Sequence, residues 1–166
     1  CYDQSWSQKD FFEYGKFVEK NLPEYSSDQI IQLSNKKNKK INLGILSADL
    51  KTGHSITFFL RTILLNYNKD EIEIYLISNQ KDPSTVSAEI SNLVFKTIDI
   101  SQLTDLDALN KIRKLNLDIM IDVMGYTSRN RIGLFKNRIA KKQAIWMGYC
   151  NTTCLLYTSD AADETT

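Results

Sequence analysis

The spacing of apolar residues changes once along the chain. Before about residue 40, apolar side chains recur every three or four positions among polar ones; from Ile41 onward, short continuous apolar runs alternate with helical stretches. In the first part Phe11, Tyr14, Phe17 and Val18 share one helical face. Ser7 and Asp10 stand ahead of them at the spacing of a capping box, in which a hydroxyl and an acid three residues on satisfy free backbone N–H groups. This predicts an amphipathic helix over 7–20, ended by Pro23, and a second short helix over 27–33 opened by Ser27 and Asp28. Lys36-Lys37-Asn38-Lys39-Lys40 follows, either a solvated connector or an anion-binding patch.

The run from Ile41 to Ser47 has the length and apolar character of a buried parallel strand. Ile56, Phe59, Leu60, Ile63 and Leu64 then predict a helix over 54–66. Strands are expected over 72–77, 93–98, 118–123 and 143–147, the last placing Trp146 in the core. Between them come a loop with a short helix over 83–92, a helix from the second capping box (Thr104, Asp107) to Leu115, and a short helix over 130–137. Strands alternating with helices imply βαβ units, hence a parallel sheet covered on both faces. Right-handed crossovers make this an α/β, Rossmann-like, doubly wound domain. The expected organisation is linking helices and a basic connector over 1–40, a truncated Rossmann-like half over 41–153, and a non-native tail over 154–166.

Composition narrows the classes. The chain has 166 residues, 42% hydrophobic and 25% charged, which suits one ordinary globular domain. No apolar run approaches the roughly 20 residues of a membrane span. Cys1-Tyr2-Asp3-Gln4 has no Met, basic n-region or apolar h-region, and reads as the interior of a longer cytoplasmic polypeptide. Cys1, Cys150 and Cys154 are too few and too scattered for a disulfide framework or a zinc site. His54 is the only histidine, which excludes a metal site built on several. Cys154 to Glu164 resembles the in-frame translation of a transposon-end sequencing adapter, so 154–166 is set aside. Without Asp160, Asp163 and Glu164 the chain carries 21 basic and 17 acidic side chains, a net of +4. That is too weak to argue for a nucleic-acid partner.

In open α/β sheets ligands bind beyond the carboxyl ends of the strands. Three loops fall there: 47–55, 124–131 and 148–153. The first has neither the spaced glycines of a dinucleotide fingerprint nor the Gly-Lys-Ser/Thr of a P-loop. It does place His54 at the mouth of a helix, where the positive helix end favours the neutral, base-competent imidazole. Either His54 is a catalytic base or it only hydrogen-bonds its loop. In the second loop Gly125 permits a tight turn; Thr127, Ser128 and Asn130 either cap the next helix or face an anion. In the third, the bare backbone at Gly148-Tyr149 either approaches a phosphate or makes an ordinary turn.

Taken together these loops resemble the SPINDLY / O-linked N-acetylglucosamine transferase family. The most specific stretch is Asp118-Ile119-Met120-Ile121-Asp122-Val123-Met124-Gly125-Tyr126-Thr127, then Asn130-Arg131, Phe135, Arg138-Ile139-Ala140 and Gln143-Ala144-Ile145-Trp146-Met147-Gly148-Tyr149. The loop around Asp49 and His54 is similar to the family's Ser-x-Asp-Phe…Asn-His segment. The resemblance implies the first half of a GT-B glycosyltransferase that is inverting and metal-independent, with no cofactor beyond its nucleotide-sugar substrate. It implies N-acetylglucosamine transfer from UDP-GlcNAc to Ser/Thr of protein acceptors, with GDP-fucose-dependent O-fucosyl transfer or a non-catalytic nucleotide- or protein-binding module as alternatives. By the same resemblance His54 is the catalytic candidate. Asp49, Tyr126, Thr127, Asn130 and Arg131 are candidate substrate-binding residues; Met147, Gly148, Tyr149 and Cys150 face the donor. The implied partners are upstream tetratricopeptide repeats and a C-terminal catalytic half, with no membrane and no nucleic acid. Ile139 and Lys141 stand where the family has Pro, and Cys150-Asn151 where Pro-Gly is usual; the Asp49-to-His54 spacing is one residue longer.

Overall fold

The computed structural model describes residues 6–148. Five strands, β1 (Ile41–Ser47), β2 (Ile72–Ser78), β3 (Lys96–Asp99), β4 (Ile119–Asp122) and β5 (Lys142–Ile145), lie parallel in the order β3-β2-β1-β4-β5. Five helices accompany them: α1 (Gln8–Asn21), α2 (Ser55–Asn66), α3 (Ala88–Ser91), α4 (Asp105–Arg113) and α5 (Ile132–Lys136). The expected Rossmann-like sheet is therefore present.

Strand alternation sends successive side chains to opposite faces, and each face has its own core. Ile45, Ile74, Leu76 and Val123 pack with Ile56, Leu60 and Leu64 of α2 and Ile90 of α3. Leu46, Tyr75, Ile77, Ile98 and Met120 pack with Leu109 and Ile112 of α4 and Leu134 and Phe135 of α5. Leu60, Leu64, Leu109 and Phe135 are fully buried, each contributing about 1.5–3 kcal/mol.

The first capping box forms whole, and of the second only the Thr104 cap forms, the Asp107 carboxylate accepting from the Thr104 hydroxyl instead of its N–H. Ser7 Oγ accepts from Asp10 N while Ser7 N donates to the Asp10 carboxylate; Thr104 Oγ1 accepts from Asp107 N. On α1 only Phe11 and Val18 of the apolar face are half-buried, while Tyr14 and Phe17 stay exposed.

Three expectations are corrected. The helix over 27–33 is a single turn: Gln29 N donates to Ser26 O and the Gln29 amide oxygen holds Ser26 N and Oγ. It cannot extend, because Asn110 takes the N–H of Ile31 and Arg113 its carbonyl. β3 begins at Lys96 rather than at residue 93, since Leu93 closes α3 by donating to Ile90 O. Trp146 is 40% exposed rather than in the core; it follows β5, the edge strand, where no further strand covers the sheet among the described residues.

Arg113 ties the linking segment to the domain. It is 7% exposed, and its guanidinium donates to the carbonyls of Ile31 (2.7 Å), Arg138 (2.8 Å) and Asn137. Arg113→Leu strands these acceptors, so urea unfolding is expected to show a loss of about 3 kcal/mol. An unchanged urea midpoint would mean the three carbonyls have other partners.

Candidate functional site

The strand order reverses direction between β1 and β4. The chain leaves β1 for α2 on one face and leaves β4 for α5 on the other, so the two loops part and leave a crevice at the carboxyl edge of the sheet. The register puts Leu46 of β1, Asp122 of β4 and Ile145 of β5 abreast. Loops 47–54, 123–131 and 146–148 consequently start at one level.

Asp122 governs the middle loop. It is 1% exposed, and its two carboxylate oxygens accept from Met124 N (2.8 Å) and Gly125 N (3.0 Å). Burial pushes its carboxyl up to about 6, against the two N–H bonds that hold it down. Gly125 takes a left-handed φ of 54°, which glycine adopts without a Cβ clash. Thr127 Oγ1 then donates to Met124 O, and Asn130 Nδ2 to Thr127 O. The Met124 side chain is buried beneath the neighbouring loop, its sulfur 3.2 Å from Ala48 N and 3.6 Å from Ser47 Oγ. The two loops are thereby joined at their bases.

His54 is the N-cap of α2. Its Nδ1 accepts from Ile56 N at 3.3 Å, an arrangement that leaves the proton of the neutral ring on Nε2. Nε2 lies 3.8 Å from Asp49 Oδ1, beyond hydrogen-bond range but close enough for the carboxylate to favour a donor there. The loop is fixed by Thr57 Oγ1, which donates to the carbonyls of Asp49 and Lys51, and by Gln80, whose amide oxygen accepts from Leu50 N. His54 lines an open depression of about 470 Å³ with Gly53, Thr57, Phe58 and Phe59; no residue of the 123–131 loop reaches it.

The other candidates divide by place. Tyr126 packs edge-on against Tyr14 of α1, ring centroids 5.7 Å apart. Asn130 Oδ1 accepts from Ile132 N in a side-chain turn just ahead of α5, whose N-cap position is Arg131. Arg131 is a structural tie: its Nε lies 2.8 Å from Asp105 Oδ1, too bent for a hydrogen bond, and its Nη atoms donate to Leu103 O, Ile100 O and Asn79 Oδ1. At the β5 exit Met147 has φ 71° and Gly148 N donates to Trp146 O, a tight three-residue turn. A Cβ on Gly148 would lie 1.5 Å from Val123 O, so only a bare backbone fits there. Tyr149 and Cys150 lie outside the described residues.

Four contributors were not singled out from the residues. Asp122 and Met124 set the middle loop, and Asn79 and Gln80 brace it and the His54 loop from the end of β2. A lone acid ending an apolar run was the available signal for Asp122.

The sequence profile described as glycosyl transferase family 41 matches residues 17–162, which includes part of the tail set aside above. The chain is 26% identical over 152 residues to a probable UDP-N-acetylglucosamine–peptide N-acetylglucosaminyltransferase SPINDLY of Oryza sativa, covering 86% of this chain and 15% of that protein. Against the Arabidopsis thaliana protein of the same name it is 29% identical over 123 residues, covering 70% and 13%. A solved mutant O-GlcNAc transferase of Thermobaculum terrenum superposes with a TM-score of 0.73 at 19% identity, over 91% of this chain and 28% of that one. The chain thus spans about 15% of the length of the Oryza sativa protein and 13% of the Arabidopsis thaliana one.

Two outcomes follow from the geometry. The folded state holds the Asp122 proton more tightly than the unfolded chain does. Its contribution is complete near pH 4 and falls by about 3 kcal/mol as pH rises through 6. Urea unfolding across that window should show the fall in the native chain and its absence in Asp122→Asn; parallel curves would contradict the buried carboxyl. For His54, Ala should cost about 1 kcal/mol by loss of the cap, and Asn, a good N-cap, much less. Equal melting temperatures for the native chain, His54→Ala and His54→Asn would show that the cap carries nothing.

Proposed function

Since the chain belongs to glycosyl transferase family 41, we propose that it is the first α/β half of a protein O-glycosyltransferase, acting within a longer cytoplasmic polypeptide. The reaction is transfer of N-acetylglucosamine from UDP-GlcNAc to Ser or Thr hydroxyls of protein acceptors. The observation that supports it most is that the three loops leave the switch point of the sheet at one level and meet at their bases, Met124 under Ala48 and Gly148 against Val123. Among the described residues no helix is long and apolar enough to cross a membrane.

Transfer is taken as inverting. The acceptor oxygen approaches the anomeric carbon on the face opposite the leaving diphosphate; the bond from that carbon to UDP breaks as the glycosidic bond forms, UDP leaves, and the acceptor proton passes to solvent. Charge on the leaving group, without a metal, falls to backbone N–H groups, helix ends and cations, in large part from a second α/β half of the longer polypeptide. His54, with Nδ1 occupied by the helix cap, acts through Nε2–H as a donor that orients an oxygen of the reacting pair; accepting the acceptor proton requires it to release Ile56 N first. Asp49 supports that donor. Tyr126 and Thr127 border the acceptor, and Met147, Gly148, Tyr149 and Cys150 border the donor. Gly148 contributes an uncluttered backbone against which a sugar can lie.

The test uses the longer polypeptide with UDP-GlcNAc and a Ser/Thr acceptor peptide. His54→Ala is expected to lower kcat about 100-fold or more. Turnover equal to that of the native protein would refute the role. Transfer from GDP-fucose in place of UDP-GlcNAc would reassign the donor.

A further inference from the structure

A second polar cavity, of about 300 Å³, lies on the α4/α5 side of the carboxyl edge, away from the His54 depression. It gathers residues from three loops: Asn79 and Lys81 after β2, Ser101 and Gln102 after β3, and Arg129 to Arg131 after β4. Three of these side chains are cationic, and no carboxylate is among the described residues that line it. Two acids on the adjoining segments are already engaged: Asp105 by Arg131, and Asp99 by the N–H of Ser101.

The cavity is built rather than incidental. Arg129 takes φ 62°, a left-handed conformation that costs a side-chain-bearing residue free energy. Asn79 holds it there from both ends: its Nδ2 donates to Arg129 O at 2.9 Å, and its carbonyl accepts from Arg129 Nη2 at 3.3 Å. Asn79 Oδ1 also accepts from Arg131, so one nearly buried residue holds two guanidinium groups, Arg129's by its backbone carbonyl and Arg131's by its side chain. The Ser101 hydroxyl is buried and has no hydrogen-bond partner among the described residues. A fixed guanidinium and an ammonium lining one space without a carboxylate are the donor set of a tetrahedral or carboxylate oxyanion.

We propose that this cavity is an oxyanion-binding subsite, with Arg129 and Lys81 as its donors, that holds a phosphate or carboxylate group beside the catalytic crevice. On the acceptor-side reading above, the group is an acidic or phosphorylated side chain of the polypeptide being glycosylated. The identity of the occupant rests on that reading; the anion site itself does not.

Binding to the full 166-residue chain needs no turnover, so its failure and that of glycosyl transfer are distinguishable. Calorimetry is run with a phosphoserine peptide, its unphosphorylated counterpart and inorganic phosphate. The phosphopeptide should bind at least tenfold tighter than its counterpart, and Lys81→Gln or Arg129→Gln should each weaken it about tenfold. Arg129→Gly separates binding from folding: it should weaken the phosphopeptide equally while leaving the melting temperature unchanged or higher, because glycine relieves the left-handed φ. Phosphate binding with the same sensitivity, but no gain from the peptide, assigns the subsite to a free anion. Native-like affinity in the Lys81→Gln/Arg129→Gln double variant, or no anion binding at all, overturns the proposal.

Discussion

Closing a buried strand end is the constraint on which this structure depends. β4 lies between β1 and β5 inside the sheet, and its last residue is an acid with almost no exposure. Burying a carboxylate is costly unless hydrogen bonds replace its water. The N–H groups of Met124 and Gly125 do so, and in doing so they bend the chain sharply away from the sheet. The turn that results sets Met124 under the β1 loop, lifts Tyr126 toward α1 and aims Arg129 and Arg131 at the end of β2. The bare Gly148 then passes against Val123 O just before that turn. The middle loop follows from one satisfied acid, and its contacts reach the other two.

The crevice is polar but tightly internally bonded. Asn79 and Gln80, at the exit of β2, each spend their amides on a neighbouring loop. Such bracing keeps the loop backbones still, which a transfer reaction needs if substrate groups are to meet preset donors. His54 shows the same economy: one ring nitrogen builds α2 and the other faces outward.

Much of the fold was legible in the sequence because it rests on local signals. The apolar run at Ile41–Ser47 became β1 with those bounds, and the Ser7 and Thr104 side chains cap their helices. The errors lie where distant groups decided the outcome. Residues 27–33 had a helix start, but Asn110 and Arg113, some 80 positions away, took the backbone groups of Ile31 that a helix needs. Trp146 had the hydrophobicity of a core residue but sits at the uncovered edge. Among the site residues, His54 was found from its position before a helix and Gly125 from its turn. Arg131, grouped with them as a ligand contact, instead ties Asp105 and the β3 exit, a role set by tertiary packing. The contact between Tyr126 and Tyr14 joins segments 112 positions apart in a way no periodicity encodes.

The most direct measurement is a structure of the longer polypeptide with a nucleotide sugar and an acceptor peptide bound. Glycosyl transfer through this crevice predicts the acceptor hydroxyl or the reacting sugar oxygen within hydrogen-bond distance of His54 Nε2, with the sugar lying against Gly148. A complex in which both substrates sit elsewhere and His54 faces only solvent would contradict it.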